Sequence, residues 1–234
     1  MSADEIPLTG GRVTAGVVRV GDTVRRPIRG DRSDVHKLLK HLEAQGFDAT
    51  PRFLSIDAQN REILSFLPGE VPPDLAHFED VQLATAARLL RRFHDATEDF
   101  AAATDPQAEV ICHNDWGAHN AVFRDGLPYG IIDFDTIAPG LRLWDLGYSA
   151  FSWLDLGNTD YSGDEQVRRL VVFADGYGLA GCGPAQIAAH ALARQTALAA
   201  SGRRRGMGEM ADWAAEAAAW TATNLVERLL PTRM

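Results

Sequence analysis

The stretch that decides the fold runs from Val110 to Tyr148: VICHNDWGAHNAVFRDGLPYGIIDFDTIAPGLRLWDLGY. It opens on a short apolar strand, Val110 to Cys112. His113-x-Asp115 follows, and then, after four more residues, Asn120. Two further strands, Ala121 to Phe123 and Tyr129 to Ile132, read as a hairpin that ends on Ile131-Ile132-Asp133-Phe134-Asp135. A hairpin returns the chain to its starting end, which brings Asn120 and Asp133 together. Asp115 opens a loop after a strand, where a carboxylate is able to accept the proton of an attacking hydroxyl. The amide oxygen of Asn120 and the carboxylate of Asp133 are hard donors that suit Mg²⁺. The expectation is one Mg²⁺-nucleotide held between Asn120 and Asp133, with an acceptor hydroxyl at Asp115. The plainer reading makes all three turn residues and helix caps. A strand-end aspartate at the right distance beyond a hairpin argues against it.

Outward from this segment the chain changes character. The first third is β-rich. Val13 to Val20 and Thr23 to Pro27 read as a hairpin around Gly21-Asp22. Residues 33–45 read as a helix, with Ser33 as N-cap, a stripe of Val35, Leu38, Leu39 and Leu42, and Gly46 as its stop. Pro51 to Ile56 and Arg61 to Leu67 read as a second hairpin, closed by Pro68-Gly69, with Pro72-Pro73 as connector. Residues 78–97 have helical periodicity, and 101–108 read as a loop. Helices are expected over 143–155, 164–178, 184–201 and 208–230. The organisation is α+β: a small β-rich lobe over residues 1–70 and a larger, mainly helical lobe over 71–234. A cleft between two lobes is a common ligand site.

Composition sets the outer limits. The chain has 234 residues, of which 46% are hydrophobic and 24% charged, so a disordered chain is excluded. The net charge of −9 argues against a nucleic-acid binder. No apolar run is long enough to span a bilayer. The N-terminal MSADEIPLTGG lacks a basic region followed by an apolar stretch, so a cytoplasmic location is expected. Arginine stands almost alone as the basic residue, Lys37 and Lys40 being the only lysines, which reads as a bacterial coding bias. Cys112 and Cys182 offer no metal-ligand spacing and read as reduced core thiols.

Val110–Tyr148 resembles the catalytic core of the aminoglycoside phosphotransferase and choline kinase group, within the protein-kinase-like fold. The match at His113, Asp115 and Asn120 is complete. Ile132-Asp133-Phe134-Asp135 is similar to that family's metal-binding strand end, and Asp145-Leu146 to the Asp-Leu that braces its catalytic loop. The resemblance implies a two-lobed fold and transfer of the terminal phosphoryl of ATP or GTP to a small-molecule hydroxyl. It makes Asp115 the base and Asn120 and Asp133 the Mg²⁺ ligands, with help from Asp135, and gives His113 a loop-holding role. Gly10 and Gly11 fall where a phosphate-covering loop is expected. Ser65, Phe66 and Leu67 fall at the hinge that meets the purine edge.

The small lobe departs from the pattern. The family's strand lysine is missing; Arg26 is its expected substitute, with Arg25 as the rival. The helical glutamate that would pair with it has no clear match, Val35 standing roughly at its position. A catalytically weak, nucleotide-binding relative is therefore the alternative function. Asp155, Asp160, Asp164 and Glu165 follow the catalytic segment. Together with the net charge they lead to an expected amine-bearing, cationic acceptor.

Overall fold

The computed structural model describes residues 4–8, 16–72 and 77–229. Strands β1 (Ile6–Pro7), β2 (Val18–Val20), β3 (Thr23–Pro27), β4 (Phe53–Ile56) and β5 (Arg61–Ser65) form one antiparallel sheet in the order β1-β2-β3-β5-β4. Gly21 turns the β2–β3 hairpin at φ +59°, and the Thr23 hydroxyl donates back to the Val20 carbonyl at 2.7 Å. The β3–β5 register sets Val24 opposite Leu64 and Arg26 opposite Glu62. Alternation then puts both pairs on one face.

Helix α1 (Ser33–Ala44) buries Val35, Leu38, Leu39 and Leu42, the stripe read from the sequence. Ser33 is its first helical residue rather than its cap. The Asp31 carboxylate accepts the Ser33 N–H at 2.8 Å and tightens the turn that carries Arg32.

The chain crosses to the helical part through Gly69 and Glu70. Glu70 exchanges two backbone hydrogen bonds with Phe123, at 3.0 and 2.7 Å. Gly69 has φ +153°, and a Cβ there would lie 2.3 Å from the Phe123 oxygen, so only glycine lets the two backbones meet.

The helical part contains α2 (Asp80–Ala96), α3 (Glu98–Thr104), α4 (Arg142–Leu154), α5 (Gly163–Tyr177), α6 (Pro184–Arg204), α7 (Gly208–Thr221) and, after a π-turn, α8 (Glu227–Leu229). Helix α3 takes up the first half of the expected loop. Its three alanines favour helix, Glu98 and Asp99 suit its first turn, and Ala101 is fully buried.

Three short antiparallel pieces sit among the helices. β7 (Ala121–Arg124) and β8 (Leu127–Ile131) form the expected hairpin, closed by Asp125 and Gly126, both at positive φ, in the manner of a two-residue turn. β6 (Val110–Cys112) pairs instead with β9 (Ala138–Gly140). The sequence gives no sign of β9, since Pro139 breaks any strand pattern.

Trp116 and Trp153 are fully buried, with ring centroids 5.4 Å apart, while Trp213 is largely exposed. Helices α4 and α6 cross closely at Gly147, where a Cβ would lie 2.5 Å from the His190 carbonyl carbon. Gly147→Ala is expected to destabilise the chain by about 1–3 kcal/mol through overpacking. Urea unfolding checks this. The same change at Gly208, where a Cβ meets nothing within 4 Å, is the control and is expected to cost less.

Candidate active site

The loop after β6 is held by one buried carboxylate. Asp145, in the first turn of α4, is fully buried. It accepts the backbone N–H groups of His113 at 2.7 Å and Asn114 at 2.8 Å, and the His94 Nε2 at 3.0 Å. The Tyr177 hydroxyl lies 2.8 Å from His94 Nδ1 and accepts from Arg142 at 3.0 Å. Burial alone would push the Asp145 carboxyl up; the hydrogen bond and charge of His94, with those from His113, hold it below the usual range.

His113 is fully buried, and its Nε2 donates to the Ile132 carbonyl at 3.0 Å. Burial keeps this imidazole below its ordinary pKa. Thr136 donates to the His113 carbonyl and accepts from the Asn114 side chain. Asn114 sits at φ 65° and Asp133 at φ 64°, the left-handed region that Asn and Asp tolerate best after glycine. Two backbone reversals thus flank the site.

Asp115 projects from this braced loop. Its Oδ2 accepts from the Asn120 side chain at 2.9 Å. Its Oδ1 accepts the Tyr148 hydroxyl, with His119 Nε2 at 3.4 Å. Burial raises the carboxyl, but hydrogen bonds from His119 and Tyr148 win, so it stays ionised. Tyr148 is pushed up by burial and by that carboxylate. Arg194 of α6 lies over the rings of Trp144 and Tyr148, 4.6 and 4.9 Å from their centroids, and donates to the Asn114 carbonyl. The two oxygens of Asp115 therefore face different surroundings: Oδ2 the Asn120 side, Oδ1 the Tyr148 and His119 side.

The fit to a metal is testable from the donors. The Asn120 Nδ2 is spent on the Asp115 carboxylate and carbonyl, which turns its Oδ1 away from them as an acceptor. The Asn120 carbonyl takes the Ile132 N–H at 3.0 Å, so Asp133 begins one residue from Asn120 across the hairpin. Burial and the charge of Asp135 raise the Asp133 carboxyl. Two crowded carboxylates beside a fixed amide oxygen suit a hard divalent cation completed by phosphate and water oxygens. Among the described residues no cluster of three His, Cys, Asp or Glu side chains has the form of an all-protein metal cage. Mg²⁺ characteristically does without one.

A cavity of about 560 Å³ lies between the sheet and this site. It is lined by Val17, Val24, Arg26, Arg32, Leu64 to Leu67, Asn120, Asp133 and Phe134, among others. Ser65, Phe66 and Leu67 are thus brought to the same cavity as Asn120 and Asp133. The Ser65 and Phe66 N–H groups donate to Arg52 and Asp22 carbonyls, each at 2.9 Å. Gly10 and Gly11 lie outside the described residues.

Arg26 and Arg25 lie on opposite faces of β3. Arg25 donates to Thr23 at 2.9 Å. Arg26 reaches Glu62 at 3.3 Å, Asp133 at 3.1 Å and Asp135 at 2.7 and 2.5 Å. Glu62 was not singled out from the sequence. Its side chain is wholly buried and also meets Arg32 at 3.0 Å and His36 at 2.9 Å. Its one sequence signal is an acid at an inward position of the strand Arg61–Ser65, which needs a cationic neighbour. Asp155 caps α4 and binds Asn158, Asp164 pairs with Arg228, Glu165 pairs with Arg168, and Asp160 is exposed.

Comparison with known proteins places this arrangement. The sequence profile of the family described as "Phosphotransferase enzyme family" matches residues 95–190. The trifolitoxin immunity protein of Rhizobium leguminosarum bv. trifolii is 34% identical over 200 residues, covering 75% of each chain. The chain belongs to the phosphotransferase enzyme family. Its fold is the two-lobed, protein-kinase-like α+β fold. An ethanolamine kinase from Plasmodium vivax superposes with a TM-score of 0.69 at 12% identity, covering 98% of this chain and 85% of that one. A choline/ethanolamine kinase family protein from Mesorhizobium loti gives 0.60 at 15% identity, with 98% and 89% covered. A macrolide 2'-phosphotransferase from Brachybacterium faecium gives 0.56 at 15%, with 93% and 88% covered. Among the described residues no helix is long and apolar enough to cross a membrane.

The brace yields a pH test. The folded-state pKa of Asp145 is depressed, so its contribution is present above the unfolded pKa and lost as pH falls through the folded one. The depressed pKa of His113 acts in the same sense. Asp145→Asn is expected to cost about 3–5 kcal/mol at pH 7, since it leaves buried partners unmatched. The gap to wild type, followed by urea unfolding, is expected to narrow as the pH is lowered.

Proposed function

We propose that this chain transfers the γ-phosphoryl group of ATP or GTP to a hydroxyl of a small molecule. The observation that carries this reading is the ionised Asp115, hydrogen-bonded to Asn120, which lines the cavity together with Asp133. Phosphoryl transfer needs little covalent chemistry from the protein; positioning and charge neutralisation supply most of the rate.

The purine fits the apolar inner part of the cavity. Leu67 lines that cavity and its N–H has no backbone partner among the described residues, so it is the hinge donor proposed for the base. Arg26 steadies the phosphates, with Gly10 and Gly11 in the loop that covers them. Asn120 and Asp133, helped by Asp135, hold Mg²⁺, which neutralises charge on the β- and γ-phosphates when bound. The acceptor hydroxyl replaces the Tyr148 hydroxyl at Asp115 Oδ1. Asp115 orients that hydroxyl and takes its proton as the new O–P bond forms. His113 and Asp145 act through the loop and touch no reacting atom.

The four acidic side chains behind the expected amine are engaged locally or exposed, so they lend a cationic acceptor no support. A different observation bears on the physiological setting. The relative at 34% identity is an immunity protein, and phosphorylating a hydroxyl of a toxic molecule is one chemical route to immunity. We therefore place protective modification of a toxic small molecule ahead of a housekeeping kinase role. The intact Asp115, Asn120 and Asp133 favour turnover over a binding-only function.

Asp115→Asn is expected to lower kcat by about 10²–10⁴-fold with nucleotide affinity unchanged. Wild-type turnover in that variant, at saturating acceptor, removes Asp115 from its assigned role. Asp133→Ala is expected to abolish turnover and the Mg²⁺ dependence of nucleotide binding, read by calorimetry. Arg26→Ala is expected to weaken nucleotide binding more than Arg25→Ala does. A nucleotide-consumption screen over aminoglycosides, macrolides and amino alcohols tests the acceptor class directly.

A further inference from the structure

The cation cluster at the cleft has an asymmetry that the family resemblance does not supply. Arg26, from β3, and Arg32, from the turn before α1, each reach from Glu62 to Asp135. The two ends of these bridges differ. The Glu62 side chain is 0% exposed, whereas that of Asp135 is 38% exposed. Glu62 is fixed on a third side by His36, whose ring stacks on Phe53 at 3.8 Å. The buried end is an anchor. The Asp135 end is partly exposed, and Arg26 and Arg32 both line the cavity.

Arg26 grips Asp135 as a fork, Nη1 on Oδ1 and Nη2 on Oδ2. Arg32 donates to the same Oδ1. One carboxylate held by two guanidinium groups presents oxygens as a phosphate does, and planar forks suit either anion. The pair also explains how the small lobe does without the helical glutamate: the acid has moved to β5, directly opposite Arg26, and a histidine stands on the helix.

We propose that Arg32 is a second phosphate-binding residue, that Glu62 positions both arginines, and that Asp135 occupies the guanidinium edges where the nucleotide's phosphates go. This rests on the phosphotransferase reading above and extends it to residues outside the family motif. Nucleotide entry exchanges one anion for another: the phosphates take the guanidinium edges, and Asp135 is released toward the metal side. No proton or covalent bond changes hands.

Calorimetric titration with ADP, GDP and adenosine, in chelator to remove any metal contribution, tests this. Arg32→Gln is expected to weaken ADP or GDP binding by about 10–100-fold, the loss of charge-assisted hydrogen bonds, and to leave adenosine affinity unchanged. Arg32→Lys, which keeps the charge without the fork, is expected to fall between them. Glu62→Gln, isosteric at the anchor, is expected to weaken the nucleoside diphosphate without weakening adenosine. Asp135→Asn is expected to tighten the diphosphate several-fold, because the competing anion is gone. Equal losses for ADP and adenosine in Arg32→Gln reduce Arg32 to a structural residue and overturn the proposal. So does an unchanged ADP affinity. If wild type binds neither ADP nor GDP, with or without Mg²⁺, the phosphotransferase reading itself falls.

Discussion

The geometry of the site depends on the backbone hydrogen bonds that Asp145 accepts from His113 and Asn114. Asn114 stands in the left-handed region, a conformation that costs about 1–3 kcal/mol and persists only where the surroundings over-determine it. Two N–H groups aimed at one buried anion do that. They fix the direction of the next residue, and the next residue is Asp115. The anion is tolerated inside the protein because His94 supplies a third donor, with Tyr177 and Arg142 behind it. The position of the Asp115 carboxylate is thus set by a chain of polar groups running through the helical core to Arg142.

The cleft works on the opposite principle. Behind the loop, His94 and His113 are fully buried and hold Asp145 from within the core. In the cleft, Arg26, Arg32, Asp133 and Asp135 pair with one another, and the side chains of Asp133 and Asp135 are 34% and 38% exposed. In the proposed reaction their mutual pairing is replaceable, because the proposed substrates carry both signs of charge: a divalent cation for the carboxylates and a polyphosphate for the guanidiniums. A rigid base and an exchangeable counter-charge are what loose phosphoryl transfer asks of a protein.

Much of this was legible in the sequence, and the reason is locality. His113, Asp115, Asn120 and Asp133 lie within a single strand–loop–hairpin, so their spacing alone brings them together. The α1 stripe and the Asp125-Gly126 turn are local signals too. What escaped was non-local. Glu62 faces Arg26 through the β3–β5 register, and no spacing rule reads a register across 36 residues. Searching α1 for an acid could not succeed when the acid had moved to the sheet. Tyr148 escaped because it reaches Asp115 from another helix, and β9 because its partner β6 is 25 residues upstream in a segment broken by proline. Helix α3 was missed for a different reason: an alanine run between polar residues carries little periodicity, and the burial of Ala101 settled it.

The same distinction explains why the small lobe looks abbreviated from the sequence and complete in three dimensions. A lysine–glutamate pair joins a strand to a helix with one ion pair. Here the strand supplies both partners, Arg26 and Glu62, and the helix contributes His36 and the preceding Arg32. The acid acquires three donors instead of one, and two of them are guanidinium groups. A buried glutamate with that many partners has no freedom to swing with α1, so its place does not depend on how the helix is set. Anchoring the cations to the sheet ties the proposed phosphate site to β3 and β5 rather than to α1. That arrangement suits a small N-terminal lobe, in which a five-stranded sheet and one helix supply one wall of the cleft and Asn120, Asp133 and Phe134 the other.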